Sequence, residues 1–112
     1  MYVAASLEGT SDEINEVRPA PRAVARVVYG TELSILDVQQ ISCGELWWLR
    51  NAVYARHGFA FTTPRARAIF ENEGWYESNH AVVRETAASF LTSPDRENVN
   101  LILRVERQRC GR

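Results

Sequence analysis

Past the first third of the chain, apolar residues recur at helical rather than strand spacing. Ser42 stands three residues before Glu45, a capping-box pattern, and Leu46, Leu49, Ala52 and Val53 follow at three- and four-residue steps. Gly58 sits where a helix-ending glycine belongs, so the pattern predicts a first helix over Cys43 to His57. Phe59-Ala60-Phe61 then forms a short loop that carries two aromatics into the core. Thr63 and Pro64 supply the cap and first-turn proline of a second helix, which runs through Ala66, Ile69 and Phe70 and stops at Gly74. Trp75 and Tyr76 follow directly. Val82, Val83, Ala87 and Phe90 predict a third amphipathic helix over Ala81 to Leu91. Ser93 and Pro94 open the last helix, in which Val99, Leu101, Ile102 and Val105 recur, and which closes at Cys110-Gly111.

The first third is patterned differently. Residues 1–22 have turn and linker composition, with Gly9-Thr10-Ser11 and Pro19-Ala20-Pro21. Ala23 to Tyr29, rich in valine, reads as one short strand or as an extended segment docked on the body, and Gly30 breaks it. Leu33, Ile35, Leu36, Val38 and Ile41, with Ser34 three residues before Asp37, predict a short helical turn. The expected fold class is mainly α: a small single-domain bundle of about four short helices with an extended N-terminal arm. Residues 1–32 are the arm and 33–112 the helical body.

Composition narrows the function classes. A chain of 112 residues with formal net charge −1 is one domain, and nucleic acid, which demands a net basic surface, is excluded as main partner. No apolar run is long enough to span a membrane. All 13 basic residues are arginine, so lysine-dependent chemistry such as a Schiff base is absent. Residues 1–42 hold three arginines and six acids, net −3, against ten and eight in residues 43–112, net +2, which marks an acidic arm beside a mildly basic body. The N-terminus, Met1-Tyr-Val-Ala-Ala-Ser-Leu followed by Glu8 and Asp12-Glu13, lacks the basic start and apolar length of a signal peptide. Two cysteines, Cys43 and Cys110, bracket the patterned region. Their even number suggests a disulfide and an oxidising compartment; two unrelated thiols are the alternative on count alone.

At Tyr54-Ala55-Arg56-His57-Gly58 the sequence resembles the YARHG domain family, named for that pentapeptide. The resemblance extends from about Leu33 to Arg109. It includes a leucine-and-aromatic helix running into Arg50-Asn51, the aromatic-x-Phe step at Phe59-Ala60-Phe61, a helix with Phe70, the pair Trp75-Tyr76, and a closing stripe at Asn98-Val99-Asn100-Leu101-Ile102. One branch of the family carries a cysteine before the first Leu-Trp and another near the C-terminus, so the resemblance implies a Cys43–Cys110 disulfide. It further implies a small extracytoplasmic bacterial module, periplasmic or secreted, whose leader is absent from this chain. It implies no settled activity.

The motif admits two chemical accounts. Helical spacing puts Tyr54 beside Arg50, Asn51 and His57. A ligand shelf would use Arg50 and Arg56 for an anion, Asn51 for an amide or sugar hydroxyl, Tyr54 for stacking and His57 as a donor. In the structural account, His57 favours the helix C-terminal dipole, Tyr54 buries its ring, Gly58 ends the helix, and Arg50 and Asn51 satisfy carbonyls of the next loop. Trp47 and Trp48, about 100° apart on a helix, predict one ring inward and one on the arm, the loop or a partner. No nucleophile setting is present. Glu71, Glu73 and Glu77 are solvated helix-surface groups rather than a catalytic pair, and His57 and His80 share no metal-ligand spacing, so no metal and no cofactor are expected. The expected function is recognition of peptidoglycan, another envelope component or a protein partner. The alternatives are a small envelope hydrolase using His57 or a glutamate as acid or base, and a structural or inhibitory partner protein.

Overall fold

The helix expected after Ser42 forms as α3, Cys43–Ala55, and the other elements assemble around it. The capping box closes as predicted: the Ser42 hydroxyl accepts from the Glu45 N–H (3.1 Å) and the Glu45 carboxylate accepts from the Ser42 N–H (2.9 Å). The computed structural model describes residues 18–111. Among these residues the helices are α1, Pro21–Val28, α2, Ile35–Val38, α3, α4, Pro64–Phe70, and α5, Ser93–Arg109, with a 3₁₀ turn at Ala87–Phe90 and no strand. The mainly helical fold class therefore holds. The expectations placed on residues 1–17 lie outside the described residues.

Helices α3 and α5 run antiparallel. The start of α3 meets the end of α5 through the Cys43–Cys110 disulfide (Cα–Cα 6.0 Å), the pairing that the resemblance implied. The end of α3 meets the start of α5 through Arg56, His57 and Asp95. Between these ties, Val53, Val99, Ile102 and Val105 are packed out of solvent.

Segment Ala23–Tyr29 is not a strand or an extended segment. Pro21 opens α1 at its first turn, and Ala23, Val24 and Val27 turn inward onto α3, an i, i+1, i+4 set that only a helix places on one face. Valine's strand propensity is a weak prior, and burial of this face against α3 overrides it. Gly30, at φ +75°, ends the helix in the left-handed region, where a side chain would be strained. A Cβ there would also lie 2.7 Å from the Arg56 guanidinium.

Three further expectations are corrected. Trp47 and Trp48 are both buried, at 2% and 3% exposure. The 100° separation is real, but α3 is covered on every side over residues 46–55, so it has no outward face there. Trp48 is covered by Phe70 (5.2 Å between centroids), by Trp75 (6.4 Å) and, as expected for one of the two rings, by the N-terminal arm, through the Arg18 guanidinium (5.5 Å). The third amphipathic helix over Ala81 to Leu91 does not form. The Thr86 hydroxyl donates to the Ala81 carbonyl (2.7 Å) and accepts from the Val83 N–H (3.0 Å). This local side-chain bonding competes with a helical ladder, and only the 3₁₀ turn remains. Val82, Ala87 and Leu91 point inward while Val83 and Phe90 are exposed. The second helix also ends earlier than expected, at Phe70 rather than Gly74.

Helix α5 also holds the α1–α2 connection by polar ties. Buried Asn98 donates to the Thr31 carbonyl (3.0 Å) and accepts from the Leu33 N–H (2.8 Å). Arg109 donates to the carbonyls of Val38, Gln39 and Ile41, capping the end of α2. The disulfide closes a sequence separation of 67, which in the chain-entropy model stabilises by about 4 kcal/mol. A Cys43→Ser/Cys110→Ser variant is expected to lose about that amount in urea unfolding monitored by tryptophan fluorescence, and thiol labelling of the unreduced wild type is expected to find no free cysteine.

Candidate functional site

Arg50, Asn51 and Tyr54 lie in the last turns of α3 and Arg56 and His57 just past its end, but the structure sends them to different places. Arg50, Asn51 and Tyr54 are interior, at 3%, 0% and 2% exposure. Arg50 makes a bidentate pair with Glu106 on α5, Nε to Oε1 at 2.8 Å and Nη2 to Oε2 at 3.2 Å. Asn51 donates to the Trp47 carbonyl one turn back (3.0 Å). Only Arg56 and His57 reach the surface.

These two converge on one carboxylate. Arg56 donates from Nε to Asp95 Oδ1 (2.9 Å) and from Nη2 to Oδ2 (3.0 Å), and His57 Nε2 lies 2.7 Å from Oδ2. Asp95 is also half of the α5 capping box, accepting from the Thr92 N–H (2.9 Å) while the Thr92 hydroxyl accepts from the Asp95 N–H (3.2 Å). Burial alone would push the Asp95 carboxyl up. The hydrogen bonds from His57, Arg56 and the Thr92 backbone, with the Arg56 charge, outweigh burial and hold it well below the usual carboxylate range. An ionised carboxylate only accepts, so His57 carries its proton on Nε2.

Beyond this clamp lies an open hollow of about 530 Å³, lined by Arg56, His57, Gly58, Trp75, Glu77, Ser78, Asn79 and His80. Gly58 sets its floor at φ +91°. Its carbonyl accepts from the Asn79 N–H (2.7 Å), and a Cβ there would meet Asn79 Cβ and the Glu77 carbonyl at 2.9 Å. Trp75 is fixed by donation from Nε1 to Glu73 Oε1 (3.0 Å), a carboxylate also held bidentately by Arg18. The Tyr76 hydroxyl donates to the Phe59 carbonyl (2.6 Å) and ties the loop to the aromatic core. The pentapeptide thus joins two helices and builds one wall of the hollow.

The family model of the YARHG domain matches residues 30–107. The chain belongs to the YARHG domain family. No curated protein and no solved structure matches it. The family is of extracytoplasmic type, and the disulfide of this YARHG domain fits an oxidising compartment. No helix among the described residues is long and apolar enough to cross a membrane.

Sequence reasoning missed Asp95 and Glu106, the two acids that hold the α3 arginines. Asp95 had a local signal, the Thr92-x-x-Asp95 capping pattern, overlooked beside Ser93-Pro94. Glu106 had a fainter one: it falls seven residues after Val99 and four after Ile102, a charge on an apolar helical face. Glu71 and Glu73 are held by Arg67 and Arg18, while Glu77 and His80 face solvent at the hollow. No cluster of three metal-ligating side chains occurs among the described residues.

The depressed Asp95 carboxyl contributes stability that is complete above its unfolded value of about 4 and is lost as pH falls toward its folded value. Asp95→Asn is expected to destabilise by about 3 kcal/mol at pH 7, because it leaves Arg56 without its carboxylate. The variant is also expected to flatten the fall in stability below about pH 4, measured by urea unfolding across pH.

Proposed function

We propose that this YARHG domain is a periplasmic or secreted recognition module that binds a cell-wall or envelope component at the hollow beside His57. One observation carries this reading. Around a fixed tryptophan, no described residue hydrogen-bonds the side chains of Glu77, Ser78 or His80. Asn79 Oδ1 accepts from the Ala81 N–H (2.9 Å), and its amide donors have no described partner. A concave surface with convergent polar groups and one aromatic is the usual form of a small ligand site. Arg50, Asn51 and Tyr54 support it from behind by fixing the end of α3.

Cleavage is the second reading, favoured by the His57–Asp95 contact of 2.7 Å. Glycan hydrolysis needs two carboxyl groups about 5–10 Å apart across the bond. Of the lining residues only Glu77 supplies a carboxylate, and Asp95 behind them is engaged by Arg56, His57 and the α5 cap. Binding is therefore the better account.

Co-sedimentation with purified peptidoglycan sacculi tests it. Wild-type protein is expected in the pellet at low and moderate salt. Ser78→Trp, an exposed change that fills the hollow, is expected to reduce retention about tenfold with an unchanged melting temperature. Protein that stays in the supernatant at both salt levels removes this ligand and brings a protein partner forward.

A further inference from the structure

The hollow's charge is not what its sequence suggests. Two arginines in and beside the pentapeptide point to an anion site, yet neither guanidinium is available for one. Arg50 is buried on Glu106, and Arg56 is held by both carboxylate oxygens of Asp95. Of the groups that line the hollow, the charge left without a counter-ion among the described residues is the Glu77 carboxylate, and its residue is exposed. A phosphate or carboxylate ligand would meet like charge there, whereas a cation would meet opposite charge.

The neighbouring groups fit the same ligand. Trp75 lines the hollow with its ring already fixed by the Glu73 bond and by edge contacts to Phe70 and Trp48, and a preset aromatic ring attracts a cation without loss of side-chain freedom. The Glu77 carboxylate accepts hydrogen bonds, while His57 meets Asp95 through Nε2. The Ser78 hydroxyl can accept too. Glu77 and Ser78 thus offer oxygen acceptors to the N–H bonds of a primary ammonium.

We infer that the hollow takes a ligand unit bearing a primary ammonium group, bound to the Glu77 carboxylate beside Trp75, and that it discriminates against anionic polymers. The inference rests on the recognition reading above and names its ligand chemistry. An envelope polymer offers such a group from two sources, a sugar with a free amine or the diamino side chain of a cross-linking peptide.

Titration calorimetry at pH 6.5 and low salt tests the inference with four probes: a glucosamine tetramer with free amines, its fully N-acetylated form, Nα-acetyl-lysine amide and inorganic phosphate. At least one amine probe is expected to bind at least tenfold more tightly than both the acetylated tetramer and phosphate, and which one binds identifies the source. In Glu77→Gln the preference is expected to fall to about one, with no change in melting temperature because no described residue hydrogen-bonds or ion-pairs with that carboxylate. Equal binding of the free and acetylated tetramers, measurable phosphate binding, a preference that survives in Glu77→Gln, or no binding of either amine probe would each overturn the inference. Sacculi treated with acetic anhydride, which caps free amines, separate the two proposals. Retention unchanged by acetylation leaves recognition standing without the ammonium, and no retention before or after treatment removes both.

Discussion

A single buried carboxylate, Asp95, receives four donors: two N–H groups of Arg56, the His57 ring and the Thr92 backbone. Through it the C-terminal end of α3 is joined to the first turn of α5. A carboxylate removed from water is costly unless its lone pairs are filled, and this one is filled from two helices at once. The two ends cannot separate without leaving an unpaired charge in the interior. The second buried pair, Arg50–Glu106, and the disulfide repeat the tie further along. The antiparallel pair is thereby fixed at both ends and between them.

Such pairs contribute more to uniqueness than to net stability, since desolvation offsets much of their attraction. The apolar faces of α3 and α5 would tolerate sliding by a turn, because leucine and valine pack without direction. Directional bonds at Asp95 and Glu106, with a covalent bond at Cys110, select one register. Helix α1 and the α1–α2 connection then dock on this frame through Ala23, Val24 and Val27 and through Asn98.

The same clamp shapes the candidate site. By drawing Arg56 and His57 toward α5, it neutralises the arginine and leaves the imidazole at the edge of an open hollow. Gly58 then turns the chain so closely that the loop at 77–79 rests on its backbone. The fixed end of α3 becomes one wall, and the Trp75–His80 loop becomes the other. A pentapeptide whose residue types suggest ligand chemistry acts largely as a joint, and the polar side chains with no partner among the described residues come from the loop it positions.

Much of this was legible in the sequence where the cause is local. Ser42 with Glu45, Thr63 with Pro64 and Gly58 set helix limits because caps and left-handed stops act within a few residues. The family resemblance added the disulfide and the compartment type. What the sequence could not supply depends on contacts between distant segments. Whether Ala23–Tyr29 becomes helix or strand depends on burial against α3. Trp47 and Trp48 are both buried because the helix is enclosed. The partners of Arg50 and Arg56 lie 56 and 39 residues away on α5. Residue types and caps are properties of neighbours along the chain and determine the elements. Charge partners, exposure and the hollow are properties of neighbours in space, and only the tertiary structure decides them.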